Sequence, residues 1–175
     1  GRSASDALAI HHRVQGGGSG ADVLASIHGG MTRIHQGEVR PLTPVKPVVI
    51  WSGKSAKTQP RVDHYLSISD RGAFVQASTQ IVDHFDEDPV RMLGENADLL
   101  MHLAVETGLP YMTPSLATIR SLAKACGGAA KPSGAGGGDC AIALFPDPEA
   151  EAAFRIRARD RKLVIIDVNV AGPVG

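Results

Sequence analysis

Apolar residues recur every three or four positions along most of the chain, which is the spacing of helices that bury one side. Helix 114–126 has the clearest inner face, and Gly127-Gly128 after it is typical of a helix end. Helices 70–85 and 89–107 are likewise expected to pack into a core through apolar stripes that include Phe74 and Leu93. The spacing predicts helices over residues 6–14, 22–28, 59–66, 70–85, 89–107, 114–126 and 148–160.

Shorter apolar runs rich in β-branched residues predict strands between these helices. They lie within residues 45–51, at 140–145 and at 163–170, with two more short strands in 31–43 around a turn at Gln36-Gly37. From residue 45 onward the order is therefore strand, several helices, strand, helix, strand. This order predicts an α+β fold, a ferredoxin-like sandwich in which helices pack on one face of a small antiparallel sheet.

Composition and charge narrow the function classes. The chain has 175 residues, and 18 Lys and Arg balance 18 Asp and Glu, which argues against a nucleic-acid or anionic-membrane partner gripped by overall charge. No apolar run approaches the about 20 residues that span a bilayer, and the first residues show no signal-peptide core, so a cytoplasmic setting is expected. Cys126 and Cys140 are expected to be buried thiols, and no metal site is predicted.

The most unusual stretch is residues 131–139. Gly134, Gly136, Gly137 and Gly138 lie within five positions directly before an apolar strand. Such glycines add no packing, but they allow backbone N–H groups to approach a ligand closely, and anions suit that arrangement. The order of residues is neither a Walker A loop nor a Rossmann fingerprint. An anion-binding loop is therefore predicted, with a merely flexible hinge as the alternative.

Two further stretches carry candidate chemistry. Asp22 follows a glycine-dense stretch that starts at Gly16 and stands at the start of a helix, where it is either a capping residue or a carboxylate placed beside bound phosphates. The second stretch follows the strand at 45–51 and carries Lys54, Lys57 and Thr58. Groups at such a strand end often bind ligands, and solvated lysines are the alternative.

These stretches resemble the GHMP kinase superfamily. The run KPSGAGGGDC at 131–140 is similar to the third signature motif of that family, in the form found in bacterial phosphomevalonate kinases. The run GSGADV at 18–23, closed by Gly29-Gly30, resembles the segment that bears the family's catalytic aspartate, and WSGKSAKT at 51–58 resembles a third family stretch. The three occur in family order.

The resemblance implies a phosphotransferase that uses ATP and Mg²⁺ to convert 5-phosphomevalonate to the 5-diphosphate in isoprenoid-precursor synthesis. Asp22 is the implied catalytic residue, with Lys54, Lys57 and Thr58 as secondary candidates. The residues implied for the substrate and its phosphate are Ser19, Lys131, Ser133, Gly134, Ala135, Gly136, Gly137, Gly138 and Asp139.

The family's ATP-binding loop, of the form Pro-x-x-x-Gly-Leu-Gly-Ser-Ser-Ala, does not occur in this sequence. The chain is therefore expected to be the C-terminal half of a kinase that needs an N-terminal half as partner and is inactive alone. Residues 1–43 would be the end of the N-terminal GHMP domain, and residues 44–175 the C-terminal domain. Two alternatives stay open. The first is another GHMP kinase, which acts on mevalonate, a diphosphomevalonate or a sugar. The second is a non-catalytic anion-binding module of the same fold.

Overall fold

The computed structural model describes residues 4–15, 19–35 and 37–172. The chain divides into two compact units, one formed by residues up to Lys46 together with those from Asn169 onward, and the other by Pro47–Val168. The predicted domain boundary at residues 43 and 44 concerns the family's domains and stays a prediction. None of the helices in the described ranges is long and apolar enough to cross a membrane.

In its described residues the first unit holds two helices and a hairpin. They are α1 (Ala4–Gln15), α2 (Ala21–His28), β1 (Thr32–His35) and β2 (Glu38–Pro41), and the two strands pair antiparallel as predicted. Of the predicted turn, Gln36 lies outside the described residues. α1 begins at Ala4, two residues before the start at residue 6 that the sequence predicts.

The second unit contains a four-stranded antiparallel sheet in the order β4-β5-β3-β6. That order, with a helical segment between the first two strands and one helix before the last, is the ferredoxin-like arrangement, so the predicted fold class is confirmed. Its elements are β3 (Val48–Trp51), α3 (Gln59–Ser67), α4 (Gly72–Asp83), α5 (Pro89–Thr107), α6 (Pro114–Ala125), β4 (Ala129–Pro132), β5 (Cys140–Leu144), α7 (Pro148–Asp160) and β6 (Val164–Ile166).

Strand β4 was not predicted from the sequence. Ala129-Ala130-Lys131-Pro132 has little β propensity and ends in proline, which cannot donate to a sheet ladder. Proline is tolerated here because β4 is an edge strand that pairs only with β5 in the sheet. Residues 133–139 are consequently the hairpin connection between β4 and β5, and not a loop between a helix and a strand.

One face of the sheet forms the core of this unit. Val48 and Ile50 of β3 and Ala141 and Ala143 of β5 are buried, as alternation along a strand requires. They pack with α6 and α7, whose most buried residues include Ile119 and Phe154. The predicted inner face of α6 is confirmed, since Leu116, Ile119, Leu122 and Ala123 are all buried.

Three helices of this unit begin with the same N-terminal motif, a capping side chain followed by proline. Asp88, Thr113 and Asp147 each accept a hydrogen bond from a backbone N–H of the first turn, and Pro89, Pro114 and Pro148 follow them. Proline suits the first helical position because its missing N–H has no partner there anyway. These pairs explain why the starts of α5, α6 and α7 agree with the sequence prediction.

Some predicted elements are shorter or less buried than expected. β6 ends at Ile166 instead of Val170. Helix α4 has no fully buried residue, so its stripe containing Phe74 is only half-buried. Cys126 and Cys140 are half-buried thiols and not buried ones. The end of α6 is as predicted, because Gly127 and Gly128 donate to the carbonyls of Lys124 and Ala123, a Schellman motif.

Replacing Ile119 by alanine should lower the free energy of unfolding by about 2–5 kcal/mol, because its side chain is fully buried between α6 and the sheet. The matched control is Ile156→Ala on α7, where the side chain is 60% exposed and a change within about 0.5 kcal/mol is expected. Urea denaturation monitored by circular dichroism measures both. Equal losses in the two variants would contradict the described core.

Candidate functional site

The connection between β4 and β5 is anchored at three points by backbone hydrogen bonds. The amide of Ser133 donates to the carbonyl of Cys140 (2.9 Å), that of Gly137 to Tyr111 (2.6 Å) and that of Asp139 to Lys54 (2.7 Å). The loop is therefore held by its own hairpin, by the segment before α6 and by the loop after β3. These three anchors argue against the flexible-hinge alternative for residues 133–139.

The glycines of this loop are required by close approaches of neighbouring groups. A Cβ on Gly136 would lie 2.6 Å from the carbonyl oxygen of Tyr111, and one on Gly138 would lie 2.5 Å from that of Lys54. Gly136 and Gly137 also have φ near +75°, a conformation that residues with a side chain adopt only with strain. Gly134 is different, since nothing lies within 4 Å of its Cβ position.

Four backbone amides of the loop donate no hydrogen bond to any described residue. They belong to Gly134, Ala135, Gly136 and Gly138. Gly136 and Gly138 are buried, Ala135 is half-buried and Gly134 is exposed. Buried amides are normally paired, so the two free buried ones indicate a place for an acceptor that is not part of the chain. Successive N–H groups in such a loop form concavities that bind anions.

Arg61, in the first turn of α3, stands against this loop. Its Nη1 donates to the carbonyl of Lys57 (2.5 Å) and its Nε to that of Pro110 (3.3 Å), and its guanidinium occupies the space beside the Cα of Gly137. Within the described part of the chain it forms no ion pair with a carboxylate. A positive charge therefore lies beside the free amides.

A cavity of about 220 Å³ opens beside Arg61 and the loop residues Gly134 and Ala135. The rest of its wall is apolar or aromatic and comes from α3, α4, α5 and the segment before α6. Those lining residues are Val62, Tyr65, Phe74, Leu100, Leu103, Leu109 and Tyr111. A few polar groups in a mostly apolar hollow are typical of a small-molecule site.

Tyr111 is the platform on which the loop lies. The residue is 1% exposed. Its ring fills the position that a Cβ on Gly136 would take, and its backbone carbonyl accepts a hydrogen bond from the amide of Gly137. Its hydroxyl is buried and has no hydrogen-bond partner in the described residues. Burial raises the pKa of this hydroxyl well above its ordinary value, and the charge of Arg120 opposes that rise only in part.

The loop after β3, residues 52–58, contacts the loop at 133–139 through backbone groups. The Oδ1 of Asp139 accepts from the amide of Ala56 (3.3 Å), and the carbonyl of Asp139 accepts from Ser52 (2.8 Å). The side chains of Lys54, Lys57 and Thr58 are exposed. Asp139 thus holds the two loops together, and the predicted ligand-binding roles of these residues stay predictions.

Lys131 and Ser133 stand at the start of the loop. The Nζ of Lys131 donates to the carbonyl of Pro132 (2.9 Å), and burial lowers the pKa of this amine. Ser133 is exposed. Burial and the charge of Asp139 raise the pKa of the neighbouring Cys140 thiol, so Cys140 is a poor nucleophile at neutral pH.

Asp22 belongs to the first unit and lies in the first turn of α2, where the helix dipole favours a carboxylate. Its side chain is exposed. The capping position directly before the helix is occupied by Gly20, so Asp22 is not the capping residue. The Oγ of Ser19 accepts from the amide of Ala21 at 3.3 Å. Gly16, Gly17 and Gly18 of the predicted loop lie outside the described residues. The expected approach of Asp22 to the loop at 133–139 stays a prediction.

Sequence reasoning missed Arg61 and Tyr111. Arg61 lies in a predicted helix among other polar residues, and Tyr111 lies in a turn bounded by prolines, so neither belongs to a pattern with chemical meaning. The available signal was the run of glycines itself, because three of them lie against these two side chains and the Lys54 carbonyl. Nothing in the sequence tells which residues fill that space.

Comparison with known proteins agrees with this fold and loop. Residues 83–161 match the family described as GHMP kinases C terminal, so the predicted resemblance to GHMP kinases is confirmed over this part of the chain. The chain is 34% identical over 122 residues to a phosphomevalonate kinase of Streptomyces sp. (strain CL190), covering 62% of this chain and 33% of that protein. The chain spans a third to about half of the curated relatives that it matches.

Two solved structures share the fold. The mevalonate kinase of Methanococcus jannaschii superposes with a TM-score of 0.80 at 21% identity, over 97% of this chain and 56% of that one. The Streptococcus pneumoniae phosphomevalonate kinase in complex with phosphomevalonate and AMPPNP gives 0.65 at 22% identity, over 77% and 43%. The relatives are thus kinases of the mevalonate pathway by name.

Replacing Tyr111 by phenylalanine should raise the free energy of unfolding by about 1–3 kcal/mol, because it removes a buried hydroxyl that lacks a partner. The folded-state pKa of Tyr111 lies above the unfolded value of about 10, so folding favours the neutral form. The wild-type chain should therefore lose stability as the pH rises above about 10, and the variant should lose less.

Urea denaturation at pH 7 and at several values above pH 9 measures this difference. Tyr65→Phe is the matched control, since Tyr65 is only half-buried, and it should change stability little at either pH. Destabilisation by Tyr111→Phe at neutral pH would show that the hydroxyl has a partner, and would refute the description of this residue.

Proposed function

We propose that this chain is the acceptor-binding part of an ATP-dependent GHMP kinase that phosphorylates 5-phosphomevalonate to 5-diphosphomevalonate. The ATP-binding loop of the family is not in this sequence, so the N-terminal half of the kinase is the required partner. The names of the similar proteins support the kinase class. The geometry that supports an acceptor carrying a phosphate is the cluster of free amides at 134–138.

Those amides provide what phosphoryl transfer needs from a protein, which is positioning and electrostatic stabilisation more than covalent chemistry. In the proposed reaction an oxygen of the acceptor's phosphate attacks the γ-phosphorus of ATP. A P–O bond forms, and the bond from the γ-phosphorus to the bridging oxygen breaks to release ADP. The amides of Gly134 and Ala135 and the hydroxyl of Ser133 would hold the acceptor's phosphate during this step.

Asp22 is the proposed catalytic residue. The attacking phosphate oxygen is already anionic at neutral pH, so Asp22 would serve to orient the reacting groups and shape the local charge, with little need to remove a proton. Its exposed carboxylate in the first turn of α2 is free to meet a ligand.

ATP and Mg²⁺ are the proposed cofactors, bound largely by the N-terminal half. Among residues 4–15, 19–35 and 37–172, no three His, Cys, Asp or Glu side chains are grouped to hold a metal ion. Mg²⁺ that is bound together with ATP usually takes only one or two protein carboxylates and the phosphates themselves.

Two alternative functions make different predictions for binding. A mevalonate or sugar kinase would bind an unphosphorylated acceptor as well as a phosphorylated one. A non-catalytic anion-binding module would bind inorganic phosphate as tightly as phosphomevalonate, since only the anion would be recognised. The apolar wall of the cavity beside Gly134 favours an acceptor with a carbon chain.

Isothermal titration calorimetry of the 175-residue chain should show that phosphomevalonate binds more tightly than mevalonate or inorganic phosphate. Gly134→Val should weaken phosphomevalonate binding about tenfold or more, because a branched side chain would fill the open space beside the free amides. Gly172→Val is the matched control, since nothing lies within 4 Å of that Cβ position either.

Equal weakening by both valine substitutions, or unchanged binding in Gly134→Val, would refute the loop as the acceptor site. Equal affinity for mevalonate and phosphomevalonate would instead favour a mevalonate kinase. Circular dichroism of each variant establishes that the fold is retained.

The chain by itself should produce no ADP above background when incubated with ATP, Mg²⁺ and phosphomevalonate, because the ATP-binding loop lies outside it. A coupled pyruvate kinase assay measures this, with Asp22→Ala as the matched control for contaminating kinases. Turnover by the wild-type chain that is lost in Asp22→Ala would show that the chain is a kinase without a partner, against the proposal.

A further inference from the structure

Arg61 is held rigidly at the edge of the candidate site. Two backbone carbonyls, those of Lys57 and Pro110, accept hydrogen bonds from its Nη1 and Nε. A guanidinium has five N–H donors in one plane, so three of them remain after these two bonds. Both donors on Nη2 are among the three, and Nη2 is the guanidinium atom nearest to the Cβ position of Gly137.

The charge of Arg61 is not neutralised by a neighbour in the described residues. The carboxylates that lie close by in sequence or space have other partners. The Oδ1 of Asp63 accepts from the side-chain amide of Gln59 (2.7 Å), and the Oδ1 of Asp139 accepts from the amide of Ala56. A half-buried arginine without a carboxylate is unusual, because a desolvated cation is costly unless an anion accompanies it.

The surroundings of the guanidinium indicate which anion it would meet. Arg61 lines the cavity of about 220 Å³ together with Gly134 and Ala135, whose amides are free. Arginine is the side chain best suited to a phosphate, since its planar fork can form two parallel hydrogen bonds to two oxygens. The remaining cavity wall is apolar, which suits the short carbon chain attached to such a phosphate.

We propose that the Nη2 side of Arg61 binds the phosphate that the acceptor already carries, and that this contact sets the preference for a phosphorylated over an unphosphorylated acceptor. The assignment rests on the proposed function, and it deepens that function by naming a specificity-determining residue. Arg61 acts on acceptor binding, whereas the transfer step is assigned to other groups.

Titration calorimetry of the 175-residue chain and its Arg61→Gln variant with phosphomevalonate, and separately with mevalonate, tests the assignment. Arg61→Gln should weaken phosphomevalonate binding about 10- to 100-fold, the loss expected for hydrogen bonds to a charged group. Mevalonate binding should change less than about twofold, so the ratio of the two Kd values should fall toward one. Arg71→Gln is the matched control, because it removes one positive charge near Tyr65 but does not line the cavity.

Arg61→Lys keeps the charge but loses the planar fork, and it provides a variant that retains a cation beside the loop if the glutamine variant does not fold. It should bind phosphomevalonate more weakly than the wild type while still preferring it to mevalonate. The affinity for phosphomevalonate should also depend less on salt concentration in Arg61→Gln than in the wild type, because an ionic contact is lost.

Equal weakening of both acceptors in Arg61→Gln, or no change in either, would overturn the assignment of Arg61 to the acceptor's phosphate. In each of these cases the wild-type chain still binds phosphomevalonate through the loop, and the proposed function stands. Failure of the wild-type chain to distinguish phosphomevalonate from inorganic phosphate would instead overturn the proposed function, and the role of Arg61 with it.

Discussion

The hydrogen bond from the amide of Gly137 to the carbonyl of Tyr111, 2.6 Å long, is the contact on which the candidate site depends. It fixes the middle of the loop between β4 and β5 to the backbone of a buried tyrosine, while Ser133 and Asp139 fix its two ends. The amides between these anchors then have no partner in the described residues. A loop pinned in this way offers donors without losing conformational entropy when a ligand binds.

The electrostatic potential around the loop at 133–139 is mainly positive, which suits the binding of a phosphate. Free amides and the guanidinium of Arg61 supply positive potential, and the carboxylate of Asp139 is turned to Ala56, where it joins two loops. The cavity beside them is apolar elsewhere. Preorganised donors are the usual protein contribution to phosphoryl transfer.

The sequence predictions succeeded where the signal lies within a few residues and failed where it depends on contacts between distant residues. α5, α6 and α7 were predicted nearly to the residue, because Asp88, Thr113 and Asp147 cap their own helices and a proline follows each. Strand β4 was missed, because Ala129 to Pro132 form a strand only through pairing with β5. Arg61 was missed for the same reason, since its contacts to Pro110 and Gly137 join positions far apart in the chain.

The sequence by itself determined the class of fold and the helices with their caps, and it marked the glycine-rich stretch at 131–139 as a candidate site, because periodicity, capping and glycine content act over a few residues. Only the tertiary structure decided that this stretch is a hairpin connection, that Tyr111 supports it and that Arg61 lies against it. The reason is physical: a glycine in the sequence signals that space is needed, whereas the group that occupies the space comes from another part of the chain.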